Sequence, residues 1–317
     1  MGSRLTLFYA SDIHGSELVF RKFLKAAPFY RADAVIFGGD ITGKALIPIV
    51  ETAPGHYRAS LFGTVHEVAA GSALVALETR IRTNGFYPHR TTPEDLERMT
   101  TDPAYLKVVF SQVMSATAER WVTLADRELR AAGIPALMMP GNDDEPDVKR
   151  LLAQGEWIID AEGRAVELEG YQVISYGFAT TTPWHSPREV TEDEMAVAID
   201  GLVGALDLSR PVIFNFHDPP KGSGLDLALK LTADLRVQSG AGQPLLAPVG
   251  SSAVRAAIER VQPTLALHGH IHESRAATRI GRTLAINPGS VYSEGVLQGV
   301  LVTLEGGKVI GHKFVSG

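Results

Sequence analysis

Short apolar runs recur along this chain, and most of them stop at a glycine or a polar cluster. Residues 5–10, 34–37, 134–139, 157–159, 165–168, 171–176, 211–216, 264–267 and 285–286 have the length and apolar content of strands. Between them the spacing predicts helices. Ser16 is placed to cap one, with Leu18, Val19, Phe20, Phe23 and Leu24 on its apolar side. Residues 74–82 read as helical, Thr92 precedes Pro93 at a helix start, and a long helical pattern covers residues 104–132. Thr191 opens a helix to residue 206 with Glu192, Asp193 and Glu194 in its first turn, where the helix dipole favours acids. Residues 251–261 form another. Strand, helix, strand over residues 5–37 gives a βαβ unit and a parallel pair.

Residues 56–68 partly alternate around a central glycine, which predicts a hairpin. The stretch 44–103 breaks the strand–helix rhythm and reads as a small inserted subdomain within one domain spanning residues 1–317. Its His56, Arg58, His66, Arg82, His89 and Arg90 could reach a substrate, although scattered cations on a small subdomain are more often solvated.

The chemistry sits at the strand ends. Residues 5–10 lead into Asp12-Ile13-His14, residues 34–37 into Gly38-Gly39-Asp40, and residues 134–139 into Gly141-Asn142-Asp143-Asp144. Residues 211–216 lead into His217, and residues 264–267 into His268-Gly269-His270-Ile271-His272. Parallel strands deliver these ends to one edge, where open α/β folds hold their ligands. Residues two apart on extended backbone point the same way, so Asp12 and His14 can grip one ion, and the His-x-His run over 268–272 puts imidazoles on one side, suited to first-row metals. His268 reads either as a partner of such a ligand or as a plain strand-end residue. Each piece alone is weak; their repetition at one edge points to a metal centre. The chain has ten histidines and no cysteine, so any site uses nitrogen and oxygen donors. Such donors suit manganese, iron(II), zinc or cobalt better than magnesium or calcium.

As an ordered set these motifs resemble the calcineurin-like metallophosphoesterases. The resemblance implies an α/β fold, a four-layer α/β/β/α sandwich with an inserted small α/β subdomain, and two divalent metal ions. It implies that Asp12, His14, Asp40 and His272 hold the first ion, and that Asp40, Asn142, His217 and His270 hold the second, with Asp40 as bridge. The chemistry agrees: two divalent ions outweigh two carboxylates, attract a phosphate and acidify a shared water to hydroxide for in-line attack. One position departs from the family pattern. Asp143 stands where the family usually has a histidine that assists the leaving group, so Asp143 and Asp40 are the candidate catalytic residues. An ionised Asp neither donates a proton nor attracts the substrate, which favours good leaving groups or another donor from the insertion. Asp144 is expected to orient a ligand such as His14.

The formal charge of −6 and the lack of a Lys/Arg block do not indicate a nucleic-acid surface. No run of eighteen apolar residues occurs, so no membrane span is expected, and a cytoplasmic location is the default. A homo-oligomer stays open. The expected function is a dinuclear metal-dependent phosphoesterase acting on a small phosphodiester or nucleotide-type substrate. The alternative is a non-catalytic metal-binding or protein-interaction module on the same scaffold.

Overall fold

The computed structural model describes residues 4–232, 234–240 and 242–317. Strand β1 (Leu5–Ala10), helix α1 (Glu17–Phe29) and strand β2 (Ala34–Phe37) form the expected βαβ unit, with the strands parallel and Leu7 opposite Ala34. Ser16 caps α1 by accepting from the Val19 amide, and Val19, Phe20, Phe23 and Leu24 are buried. Leu18 is instead 38% exposed. At about 100° per residue it lies roughly 140° around the helix from Phe23, outside the apolar stripe.

Next come β3 (Leu46–Ala53), β4 (His56–Leu61), β5 (Thr64–Ala69), α2 (Ser72–Thr83), β6 (Tyr87–Thr91) and α3 (Pro93–Thr101). β4 and β5 are the hairpin, turning through Gly63 at φ 74°. They join β3 and β6 in a four-stranded sheet of order β5-β4-β3-β6 with its own apolar cluster around Ile49, Leu61 and Ile81. Arg82 and Arg90 both pair with Glu78 on α2.

α4 (Pro103–Ala132) is capped by Asp102 and stopped by Gly133 at φ 68°. It leads to β7 (Ala136–Met138), α5 (Asp147–Leu152), β8 (Ile158–Asp160), β9 (Ala165–Leu168) and β10 (Tyr171–Tyr176). β11 (Ala179–Thr180) and β12 (Glu189–Val190) pair across a loop. α6 (Glu192–Gly204) opens with a capping box of Thr191 and Glu194. After β13 (Val212–Phe216) come four short strands, β14 (Leu227–Leu229), β15 (Ser239–Gly240), β16 (Gln243–Pro244) and β17 (Leu246–Pro248). Then follow α7 (Ser252–Val261), β18 (Leu265–Leu267), β19 (Ala276–Ile280), β20 (Thr283–Asn287), β21 (Gln298–Glu305) and β22 (Lys308–Ser316).

The strands make two six-stranded sheets, β22-β21-β1-β2-β7-β8 and β19-β20-β18-β13-β10-β9. Alternation along β1 explains their packing. Phe8 and Ala10 enter an apolar cluster with α1 and α4, whereas Leu7 and Tyr9 meet Val173, Ile213 and Leu267 of the second sheet. The outer face of that second sheet, through Phe214 and Ala266, packs on α6 and α7. β1, β2 and β7 are parallel neighbours in one sheet, and β13 and β18 in the other, so their C-terminal ends meet at one edge. Among the described residues, no helix is long and apolar enough to cross a membrane.

Candidate metal centre

The loops after β1 and β2 are laced together before any side chain is considered. The Asp12 amide donates to the Gly39 carbonyl, the Ile13 and His14 amides to the Asp40 carbonyl, and the Gly15 amide to the Ile41 carbonyl. These bonds hold Asp12, His14 and Asp40 at φ 59°, 40° and 55°, and His270 sits at 66°. Non-glycine residues rarely adopt this left-handed region, and strain of this kind persists where the surroundings over-determine it. Glycines give the loops room. A Cβ on Gly39 (φ 106°) would lie 2.8 Å from both His217 Nδ1 and Gly141 Cα, and one on Gly141 would collide with Asp40 Oδ1.

The side chains converge in three overlapping groups that could hold a metal ion: Asp12 with His14 and His272, Asp40 with His217 and His270, and His14 with Asp40 and Asp143. Their ligand atoms lie within 4.8 Å of one another in each group. His14 Nε2 is 3.5 Å from Asp40 Oδ2, and His217 Nε2 is 3.3 Å from the same oxygen. His272 Nε2 is 3.5 Å from Asp12 Oδ1. The His270 amide donates to the Asp12 carboxylate at 3.0 Å. Asn142 is buried at the same edge with its Oδ1 unpartnered.

Two observations test whether a cation fits. His217 donates from Nδ1 to the Gly38 carbonyl at 2.7 Å, which leaves Nε2 as the ring nitrogen that could face an ion. That buried Nε2 forms no hydrogen bond although two carboxylates face it. His14 and His272 set their Nε2 atoms 2.9 Å apart. Neighbouring ligands on one ion, with bonds of about 2.1 Å, sit about 3.0–3.4 Å apart for octahedral to tetrahedral geometry. The donor set therefore suits divalent ions with nitrogen and oxygen ligands.

The electrostatics agree. Burial lowers His14 and His270 to about 4, so both are neutral imidazoles with lone pairs to give. Burial works to raise Asp12, but the His272 hydrogen bond and the charges of His217 and His272 hold it at about 2. Burial likewise opposes ionisation of Asp40, and His217 and His14 keep it well below the usual carboxylate range. For His217, burial is outweighed by Asp40 and Asp12, which lift it to about 10. These carboxylates favour positive charge beside them, and an ion bound there would displace that proton.

One expectation about a neighbouring residue changes. Asp144 does not orient His14; it is fully buried and accepts from the amides of Ile41, Thr42 and Gly141 at 3.0, 2.7 and 2.7 Å. It joins the loops after β2 and β7, because a short acidic side chain at a turn competes first for backbone amides. His268 donates from Nδ1 to the Phe216 carbonyl at 2.9 Å, which ties the strand end that carries His217.

Asp143 lies where the sequence puts it, beside the cluster, with its amide on Asp40 Oδ1 at 2.9 Å. Residues outside the sequence reading surround it. Lys44 forms an ion pair with its Oδ2, and Ser186 donates to its Oδ1 at 2.6 Å. Arg188 donates to the Gly141 carbonyl, and Tyr292 packs on His14 with ring centres 4.8 Å apart. Lys44 follows Asp40 by four residues, which is the one local signal; Ser186, Arg188 and Tyr292 have none in the sequence.

No family model matches the sequence. The uncharacterized protein MJ1162 of Methanocaldococcus jannaschii is 28% identical over 154 residues, 48% of this chain and 62% of its own length. The alignment thus spans less than two thirds of that curated relative. The crystal structure of TT1561 of Thermus thermophilus superimposes over 99% of both chains with a TM-score of 0.52 and 16% identity, a likeness of fold. A structure described as a novel archaeal phosphodiesterase aligns over 99% of this chain, but at a TM-score of 0.37 and 11% identity that likeness carries no argument.

Proposed function

We propose that this protein is a dinuclear metal-dependent phosphoesterase acting on phosphodiester or nucleotide-type substrates. The observation that carries the reading is His217 Nε2, buried, without a hydrogen bond among the described residues and facing Asp40 and Asp12. Asp12, His14, Asp40 and His272 would hold one ion; Asp40, Asn142, His217 and His270 would hold the other. Divalent ions so held acidify water and polarise the phosphoryl oxygens. The chain's own residues do the rest. Gly38 fixes the tautomer of His217, Asp144 clamps the loops of Asp40 and Asn142 together, and His268 steadies the end of β13. The apolar clusters on both sides of each sheet support a four-layer α/β/β/α order, and the separate cluster under the β3–β6 sheet supports an insertion over residues 44–103.

The test is hydrolysis of bis-p-nitrophenyl phosphate by manganese-loaded protein, compared with Asp40→Ala and His217→Ala. Metal-dependent turnover that falls at least about 100-fold in both variants is expected, the scale of losing a few kcal/mol of transition-state stabilisation. Metal binding without turnover of any ester would favour the non-catalytic module instead.

A further inference from the structure

Asp143 leaves the centre short of a donor for the departing oxygen, and Lys44 stands beside it. The Lys44 ammonium rests on Asp143 Oδ2, the oxygen that lies 3.9 Å from His14 Nδ1. Its side chain is 55% exposed, so it borders solvent at the mouth of the cluster while its charge faces inward. The backbone that carries it is fixed. Thr42 is clamped by Asp144, the Gly43 amide donates to Tyr87 Oη at 2.8 Å, and a Cβ on Gly43 would collide with the Gly85 carbonyl oxygen. Asp143 is fixed as well, by Ser186 on Oδ1 and by its own amide on Asp40. An ammonium has three N–H donors and a compact charge; the carboxylate takes one donor and leaves two for a ligand.

We propose that Lys44 is a catalytic residue that donates a hydrogen bond to the departing oxygen of the phosphate ester, with Asp143 as the residue that positions it. The inference rests on the phosphoesterase reading. In the step, the oxygen of water bonds to phosphorus and the ester P–O bond breaks with its electron pair on the departing oxygen. The proton lost by water reaches that oxygen by way of solvent. Lys44 stabilises the charge as it develops, which matters most for alkyl leaving groups, whose oxygens hold negative charge poorly.

The experiment compares wild type, Lys44→Ala, Lys44→Arg and Asp143→Asn, all loaded with manganese. Each is measured for bound metal, for orthophosphate affinity by titration calorimetry, and for turnover of methyl and p-nitrophenyl esters of phenylphosphonate. Lys44→Ala is expected to keep its metal, bind orthophosphate at least 10-fold more weakly, and lose at least 100-fold in kcat on the methyl ester but under 5-fold on the p-nitrophenyl ester. Lys44→Arg restores part of the methyl-ester rate, and Asp143→Asn lowers kcat on that ester with little change in KM. Equal losses on both esters, or unchanged phosphate affinity, overturn the inference. Wild-type protein that binds phosphate through Lys44 yet turns over neither ester overturns the hydrolase reading alone and leaves the Lys44 contact standing.

Discussion

Arg188 donates from Nη1 to the Gly141 carbonyl at 2.9 Å, reaching from the loop between β11 and β12 to the loop that carries Asn142 and Asp143. The guanidinium is buried, pairs with buried Glu162, and lies 4.2 Å over the Phe178 ring. The Arg188 amide also donates to the Asn142 carbonyl at 3.1 Å. Arg188→Ala removes the buried guanidinium but leaves Glu162 paired with Lys149 at 3.2 Å and bonded to the Gly177 amide, so the loss falls at the low end for a buried pair broken on one side, about 3 kcal/mol. Urea unfolding should show a fall of that size, and the folded fraction should bind manganese more weakly.

Asp144 gives a different signature, because it touches no candidate ligand side chain. Asp144→Asn keeps the size of the side chain but replaces one accepting oxygen with a donor facing backbone amides. Metal affinity should drop about 10–100-fold, the usual cost of losing support behind a ligand. Equilibrium dialysis against manganese checks it, and wild-type affinity in this variant would sink the clamp.

Asp40 and Asp12 should part company in a metal count. Asp40 faces both His14 and His217, whereas Asp12 Oδ1 lies closest to His272. Elemental analysis should find Asp40→Ala short of both ions and Asp12→Ala short mainly of one. Equal stoichiometry in the two variants contradicts a shared carboxylate.

Gly141 and Gly133 separate crowding from backbone strain. A Cβ on Gly141 meets Asp40, while one on Gly133 meets nothing within 4 Å. Gly133→Ala should cost about 1–2 kcal/mol from its left-handed backbone and leave metal binding intact. Gly141→Ala should hold less than a tenth of the wild-type metal.

Asp126, which is not among the candidate metal ligands, offers a pH-dependent contribution. Its carboxylate accepts from the amides of Glu156, Trp157 and Ile158 at 2.7, 3.1 and 2.9 Å, tying α4 to the start of β8. Burial opposes the charge, but these amides hold the carboxyl below its ordinary value. A lowered pKa means the contribution is complete above the unfolded value of about 3.9 and fades as pH falls through the folded one. Asp126→Asn should cost about 1–2 kcal/mol at pH 7, and the gap to wild type should close in acid.

What the sequence reveals follows from how local each cause is. The strands that end in site residues are readable, because β1, β2 and β13 are short apolar runs and Ser16, Thr92 and Thr191 mark helix starts by their own chemistry. β3 and β6 are not, since Pro48 and Pro88 interrupt half-exposed strands and argue against them. β21 has a clear apolar pattern, but nothing near it names β1 as its partner. Within the site, the seven candidate ligands are visible as residue types at strand ends. The left-handed backbone of Asp12, His14, Asp40 and His270 is not, because hydrogen bonds between loops impose it. Lys44 and Arg188 look like ordinary surface cations until the fold brings them to Asp143 and Gly141.

The pairing of β1 with β21 also fixes a sequence of events during synthesis. Leu5 lies opposite Leu304, so the strand that presents Asp12 and His14 stays an open edge until some three hundred residues have left the ribosome. Such distant pairing slows folding, because the loop must close before its contacts repay it. The nascent chain therefore carries β1 with one flank bare until β21 has been made. Asp12 and His14 meet His272 only once the second sheet has formed, so the group they make together assembles late.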